Sequence, residues 1–370
     1  MTNILISGAG IAGPALAHWL LRDGHAVTVV EKAASPREGG QAVDFKGAAQ
    51  LELLDRMGIL QELRRRRTDA VDLDIVDAAG RKLTEMPAEF TAGDLEVLRG
   101  DLVQVLYERT AGAAEYVFGD SITSLTETPD GVRAHFERGG PRLFDLVVGA
   151  DGIHSNVRSL AFGPESGYVT HLGYYYALCD LPGMPFAAMY NEPGRMVSTG
   201  GTALFVFAAP ELAYDRHVTE EMKEHVIAAY EGLAWHGREL AEAVRRSPDL
   251  YLDSLSRVKA DRYSRGRVVL LGDAAYGNTL AGLGTGLALT GAYVLAGELR
   301  QAGGAHATAF ARYEQVMRAG TAISKAANAG RFLAPRTALG IRVRNRVFKH
   351  RFLMKAMMGS VKNHPLKEYV

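Results

Sequence analysis

Apolar positions along this chain fall into two alternating periods. Residues 2–7 form a short apolar run that reads as a strand, 11–23 carry helical spacing, and 26–31 form a valine-rich strand, so the chain opens as βαβ. Helical spacing returns over 47–66, with Leu51, Leu54 and Leu63 among its apolar positions. The run Arg64 to Arg67 then reads as a solvated helix end. Residues 70–86 alternate (Val71, Leu73, Ile75) about the turn Asp77-Ala78-Ala79-Gly80, which predicts a hairpin. A helix is predicted over 95–110, and short strands over 115–148 with turns at Pro129-Asp130-Gly131 and Gly139-Gly140-Pro141. The stretch 168–208 is strand-like and aromatic. Helical patterns at 218–231 and 237–246 follow, then a strand from Val268 to Leu271 and a small-residue helix over roughly 284–301. There is no internal repeat. The pattern is one of βαβ pieces interrupted by a β-rich insertion, an α/β layout.

Composition narrows the reading only a little. A chain of 370 residues suits two domains, and 47% hydrophobic with 23% charged residues is ordinary for a globular protein in water. The formal net charge is 0, which gives no bulk attraction to nucleic acid or anionic membranes. The single cysteine, Cys179, cannot form an internal disulfide, and a reducing, cytoplasmic setting is expected. Ile4 to Leu21 is apolar enough to resemble a signal peptide. It lacks a preceding basic segment and holds three spaced glycines, so it reads as a buried strand entering a helix. Charge is uneven: residues 331–370 hold ten Lys or Arg and one acid, Glu368, so a tail of +9 faces a body of −9.

Three motifs carry the candidate chemistry. In G-A-G-I-A-G, Gly8 permits a tight turn, Gly10 lets backbone approach a pyrophosphate, and Gly13 lets helix and strand pack closely. Phosphates would lie against the helix N-terminus. Glu31 ends the second strand 18 residues after Gly13, where a carboxylate can accept from ribose hydroxyls; the plain alternative is an exposed strand-end acid. The second motif is Gly149-Ala150-Asp151-Gly152, continuing to Ser155 and Arg158. The third is Gly272-Asp273-Ala274-Ala275 followed by Gly282, Gly284 and Gly286. Taken singly, the last two read as a structural turn and an N-cap aspartate.

In spacing and order the three motifs resemble the class A FAD-dependent monooxygenases, the family of para-hydroxybenzoate hydroxylase, phenol hydroxylases and tetracycline-inactivating flavoenzymes. The resemblance covers about half of the chain and leaves 165–262 almost untouched. It implies an α/β fold: a Rossmann-like FAD-binding domain (1–70, 95–165 and 262–330) with an inserted β-sheet-rich substrate domain (71–94 and 166–261) and a C-terminal helix within 331–370. It implies that Gly8, Gly10, Gly13 and Glu31 hold the ADP half of FAD. Arg99, and Arg37 in the region of Gly40 and Val43, would approach the flavin side. Asp151 and Gly152 would support the pyrophosphate region. Asp273 would bind the ribityl chain, and the turn through Gly284 and Gly286 would face the flavin N1–C2=O edge.

The activity so implied is NAD(P)H- and O2-dependent hydroxylation of an aromatic or polyketide-like small molecule through a flavin C4a-hydroperoxide, with no acid–base triad and no metal. Two other readings stay open: a related FAD-dependent reductase or dehydrogenase that inserts no oxygen, and a non-catalytic flavin-binding partner. No second G-x-G-x-x-G follows a strand, so a separate domain for NADPH or NADH is not expected. No motif marks a covalent linkage, so FAD is expected to be non-covalent. The chain departs from the family at Tyr276, where relatives carry histidine, and in the proline-free loop 276–281. Substrate-side candidates by location are His171, Tyr174, Tyr176, Met189, Arg195 and Phe205, with ordinary sheet packing as the alternative; Trp235 and His236 read as structural. A monomer or homodimer is expected. Val343, Val347, Phe348, Phe352, Met354 and Met357 predict an amphipathic basic helix across the two domains. The alternatives are a helix lying on an anionic membrane and a solvated tail.

Overall fold

A computed structural model of the chain describes residues 1–37, 39–69, 72–88, 93–181, 186–280, 282–321, 328–349 and 366–369. In chain order the first elements are β1 (Asn3–Ser7), α1 (Ala12–Arg22), β2 (Ala26–Glu31), β3 (Ala42–Phe45), α2 (Ala48–Arg56) and α3 (Leu60–Arg65). Next come β4 (Leu73–Val76), β5 (Lys82–Met86), β6 (Leu95–Leu98), α4 (Arg99–Glu108), β7 (Glu115–Phe118), β8 (Ile122–Thr128), β9 (Gly131–Phe136), β10 (Arg142–Phe144), β11 (Leu146–Gly149) and α5 (Asn156–Ala161). The insertion holds β12 (Val169–Asp180), β13 (Met189–Glu192), β14 (Arg195–Ser198), β15 (Thr202–Ala208), α6 (Thr219–Ala229), α7 (Gly237–Arg246) and β16 (Tyr251–Val258). The chain closes with β17 (Ser264–Arg265), β18 (Val268–Leu270), α8 (Asp273–Tyr276), α9 (Gly284–Gln301), α10 (His306–Gly320), α11 (Ala329–Leu333) and α12 (Ala338–Phe348).

Among the described residues the strands form four sheets. The first has the order β17-β18-β11-β1-β2-β7, parallel except for β17. Its inner strands β1, β2 and β11 are buried on both faces, which explains their near-continuous Val, Ile and Leu runs. The second large sheet has the order β16-β12-β15-β14-β13-β4-β5, so the 73–86 hairpin joins the strands of 169–258. Two small sheets, β10-β9-β8 and the ribbon β3-β6, complete the set.

Alternation along the second sheet sorts its side chains into two cores. Tyr175, Ala177, Cys179, Phe205 and Phe207 pack beneath α6 and α7. Tyr174, Tyr176, Met189, Met196 and Leu255 form the opposite face, against Leu280, Phe332 and Phe348. Cross-strand partners such as Ala177 and Phe205 necessarily share a face.

Two expected elements differ. The helix expected over 47–66 is two helices. Gly58, at φ +71°, closes α2 with N–H bonds from Gly58 to Asp55 O (2.8 Å) and from Ile59 to Leu54 O (3.0 Å). This is the Schellman arrangement, in which glycine takes the left-handed conformation at lowest cost. The helix expected over 95–110 begins only at Arg99. Leu95 and Val97 are buried alternately and pair antiparallel with β3, so a period of two wins there.

The described residues of the basic tail pack in two places. α12 lies on the second sheet, with Phe348 buried, while Val343 is 57% exposed and makes no core contact. Leu366 to Tyr369 lies instead against α1, α2 and α9. Val71, Ala281, Phe352, Met354 and Met357 lie outside the described residues. No described helix is long and apolar enough to cross a membrane.

Candidate active site

Between β1 and α1 the glycines divide by surroundings. A Cβ on Gly8 (φ +107°) would lie 2.5 Å from Ala150 O, and one on Gly13 would collide with Gly8 O. Both positions therefore exist for close packing. A Cβ on Gly10 would meet nothing within 4 Å, so its backbone borders open space. The helix α1 starts there without a side-chain cap, since Ile11 has no acceptor. Its first N–H groups and positive dipole end face the same opening. Pro14 sits in the first turn, where a missing N–H costs nothing. Glu31 accepts from Ala9 N–H at 2.8 Å and Ala33 N–H at 2.9 Å. A carboxylate has about four lone-pair positions. Glu31 thus fixes the glycine loop and retains acceptor capacity beside it.

The second motif is turned inward. Asp151 accepts from the Ser155 hydroxyl, Val157 N–H (3.0 Å) and the Ser7 hydroxyl (3.2 Å). Burial pushes its carboxyl up and those bonds oppose the shift. Ser155 caps α5. Arg158 is fully buried and donates to Ile153 O (2.6 Å) and Ala274 O (3.0 Å), joining the second motif to the third. Gly152, at φ +82° with nothing within 4 Å of a Cβ, leaves backbone exposed at the turn.

Asp273 opens α8 after Gly272, whose φ is +65°. Its side chain is exposed, yet desolvation pushes its carboxyl up, with Arg99 opposing. Those two facts fit together if the group lies on the floor of a deep open cleft. A Cβ on Gly284 would be 3.9 Å from Asp273 Oδ1, so the start of α9 runs alongside the carboxylate. α9 also lacks a side-chain cap, whereas α5, α11 and α12 are capped by Ser155, Asn328 and Thr337. α2, α3, α4, α6, α7, α8 and α10 also start without a side-chain cap, so the two glycine motifs are marked by the open space at Gly10 and by the Asp273 carboxylate beside Gly284. A Cβ on Gly286 would collide with Gln50, so that glycine admits α2. Arg99 N donates to Gln41 O at 3.1 Å, and its exposed side chain stands over Gly40. Arg37 is exposed in the loop after β2.

The substrate-side candidates separate. Tyr176 lies where the charges of Arg99 and Asp273 both reach its phenol. Tyr174 shares that sheet face but is covered by Gly330, with the Arg336 guanidinium 5.2 Å from its ring. Met189 is buried on that same face, paired with Ile75. Arg195 is held by Glu192 (2.9 Å) and by the carbonyls of Ala229 (3.1 Å) and Glu231 (2.8 Å), so it closes the end of α6. Phe205 packs edge-on to Tyr230 at 5.1 Å. Arg195 and Phe205 therefore serve the opposite face of the sheet, because the pleat turns them from the cleft. His171 bonds Ala209 O at 2.9 Å.

The departures at 276–281 also have a physical basis. Tyr276 points into the core, its hydroxyl donating to Leu287 O at 3.4 Å, where Gly291 of α9 makes room for it. The following loop extends the second sheet: Val258 N–H bonds Gly277 O at 2.8 Å and Thr279 N–H bonds Ser256 O at 3.0 Å. A proline at 279 could not donate that bond.

One cluster was not anticipated. His154 Nδ1 lies 2.9 Å from Glu165 Oε1, and its Nε2 lies 3.1 Å from both oxygens of Asp253. Tyr251 donates to Asp253 Oδ2 at 2.8 Å, and its ring centroid lies 5.6 Å from that of Tyr176. Burial pulls the imidazole down, but the two carboxylates prevail and push it up to about 9. His154 stands inside the second motif; its partner Asp253 is 99 residues away, and nothing local pairs them.

Residues 1–322 match the FAD binding domain family. Over 334 residues the chain is 40% identical to an uncharacterized protein of Mycobacterium tuberculosis, covering 85% of this chain and 89% of that one. It is 35% identical over 332 residues to a flavin-dependent monooxygenase of Legionella longbeachae, covering 85% of each. The chain belongs to the FAD-dependent monooxygenases. The fold of this monooxygenase is similar to that in the crystal structure of tetracycline destructase Tet(55), with a TM-score of 0.84 and 30% identity over 100% of this chain and 99% of that one.

Proposed function

We propose that this monooxygenase uses NAD(P)H and O2 to hydroxylate an aromatic or polyketide-like small molecule held against non-covalent FAD. The observation that carries the reading is that the start of α9 at Gly284 runs alongside the Asp273 carboxylate, whose charge reaches the Tyr176 phenol. The residues fit the cofactor: open space at Gly10, free helix N–H groups, and a carboxylate that no described residue neutralises by direct bonding. Gly8, Gly10, Gly13 and Glu31 would hold the ADP half, with Asp151 and Gly152 shaping the turn beside it. Arg37 and Arg99 would take phosphate or ribityl oxygens. Asp273 would accept from ribityl hydroxyls, and the N–H groups from Gly284 to Gly286 would face the flavin ring.

When bound, FAD supplies hydride acceptance and oxygen activation. The chain's own work is placement and exclusion of water. The aromatic face around Tyr176 suits a flat, ring-bearing substrate. Similarity to a protein called a tetracycline destructase supports including fused-ring compounds. The test is a panel of phenols, naphthols and tetracyclines with NADH or NADPH. Accelerated cofactor oxidation, matched oxygen uptake and a product heavier by one oxygen atom are expected. Oxidation without oxygen incorporation would establish a reductase or dehydrogenase instead, and no turnover would leave a flavin-binding protein.

A further inference from the structure

The helix α12 divides its residues between two faces. Arg344, Asn345 and Phe348 are buried, and the Arg344 guanidinium donates to Leu333 O and Asn191 Oδ1, each at 2.8 Å. On the opposite side Leu339 is 69% and Val343 57% exposed, about one helical turn apart. Apart from Met1 these are the two most exposed large apolar side chains among the described residues. Arg342 and Arg346 stand three positions after them, and Arg336 and Lys349 continue the row at either end; all four are exposed. Arg336 donates to Gly173 O at 3.1 Å, while Arg342, Arg346 and Lys349 meet no carboxylate among the described residues. In the sequence no Asp or Glu stands between Glu314 and Glu368. The acidic body thus leaves this face unneutralised by direct pairing.

An exposed leucine by itself is ordinary, but two apolar neighbours set in a row of unpaired cations restrict what can cover them. A second copy of the chain, related by a two-fold axis, would set the same cations against one another. A nucleic acid would pair with the guanidinium groups and leave the Leu339–Val343 stripe unused. An anionic lipid surface meets both needs: headgroup phosphates pair with the cations, and the acyl boundary takes the apolar side chains.

We propose that the outer face of α12 docks the protein on an anionic phospholipid bilayer. Leu339 and Val343 enter the headgroup boundary, and Arg342, Arg346 and Lys349 lie at the phosphates. The helix rests in the plane of the surface and does not cross it. Its inner face joins the core that holds Tyr176, so docking turns that side of the second sheet toward the lipid. The docking goes beyond the reaction proposed above and is observable without turnover.

The test is co-sedimentation of the full-length, FAD-loaded protein with vesicles of phosphatidylglycerol and phosphatidylcholine, or of phosphatidylcholine alone. Binding to the mixed vesicles is expected, at least about tenfold tighter than to phosphatidylcholine and weaker as salt rises. Arg342→Gln with Arg346→Gln should lose about fivefold per charge removed and flatten the salt dependence. Leu339→Ala with Val343→Ala keeps every charge and should lose about tenfold with the salt dependence unchanged. Both double variants alter only exposed side chains, so FAD content and melting temperature should match wild type. If wild-type protein ignores the mixed vesicles, or if the Leu339→Ala, Val343→Ala protein binds them as tightly as wild type, the proposal is wrong. Binding of duplex DNA at the same salt without vesicle binding would assign the cations to nucleic acid and overturn it as well.

Discussion

The guanidinium of Arg158 donates to the carbonyl oxygen of Ala274 at 3.0 Å, and it does so from a fully buried position. One side chain thus joins two glycine-bearing turns that are far apart in sequence. Its other donors reach Ile153 O and approach Glu165 at 3.6 Å. Arg158→Met should leave two carbonyls unsatisfied and Glu165 with only His154 as a paired cation. The expected loss is about 3–5 kcal/mol of stability. Arg158→Lys keeps the charge but not the planar fork and should fall between. Urea unfolding of the three proteins checks the order, and equal midpoints would refute the stapling role.

The glycines of the first motif make a sharper pair. Gly13→Ala places a methyl group into Gly8 O and should lower the melting temperature of the flavin-free protein. Gly10→Ala meets nothing within 4 Å and should leave that temperature unchanged, yet weaken FAD because the added methyl occupies the pyrophosphate approach. Melting curves with and without FAD separate the two effects.

Glu31→Ala and Asp273→Ala should each weaken FAD binding by about 1–3 kcal/mol through loss of acceptors for sugar hydroxyls. They should differ in the flavin-free protein. Glu31 also holds Ala9 N–H and Ala33 N–H, so its loss should loosen the loop, whereas Asp273 makes no such bond among the described residues. Fluorescence of released flavin gives the affinities. Unchanged binding in both variants would remove these carboxylates from the cofactor site.

The proposed cofactor half of this site is legible in the sequence because its constraints are local. A glycine where a Cβ collides with Gly8 O, or a carboxylate ending β2, has its reason within a few tens of residues. The substrate half is set by pleat and register. From sequence alone Tyr176 and Phe205 are equally aromatic strand residues, and only the pairing of Ala177 with Phe205 turns them to opposite faces. The helix expected over 47–66 failed at a local signal, Gly58, that went unread. The link from His154 to Asp253 had no local signal, since it forms only when the second sheet lies against the second motif.

That link has a pH dependence of definite sign. His154 faces Glu165, Asp253, Tyr251 and Arg216, with Arg158, Tyr214 and Tyr176 beyond. Its folded-state value, about 9, lies above the ordinary 6.5. The stability it contributes is therefore fully present below 6.5 and lost as pH rises through about 9. Glu165 and Asp253 are held low, so their share is present above the ordinary carboxylate range and lost in acid. Wild-type melting temperature should fall between pH 6.5 and 9 more steeply than that of His154→Gln. Parallel curves would show that the imidazole is neutral.

The segment Leu366 to Tyr369 supplies the last test, because it answers a buried charge. Glu298 of α9 is 0% exposed, and its Oε1 meets Lys367 Nζ at 2.5 Å and the Tyr369 hydroxyl at 2.9 Å. Arg300 donates to Tyr369 O at 2.9 Å, and Arg56 pairs with Glu368 at 2.5 Å. A Cβ on Gly297 would collide with the Tyr369 ring, so that glycine forms the seat. The exposed pair of Arg56 and Glu368 contributes little. The cost of losing the segment falls on Glu298, which would be left buried and unpaired. Removing residues 366–370 should therefore destabilise the protein by about 3–5 kcal/mol. Adding Glu298→Gln to the truncated chain should recover much of that loss, since a neutral amide tolerates burial better than a lone carboxylate. The same substitution in the full chain should destabilise, by removing the carboxylate that the Lys367 cation and the Tyr369 hydroxyl both donate to. Thermal melts of the four proteins close this double cycle. If truncation costs the same with glutamate and with glutamine at 298, the segment is held by surface contacts alone.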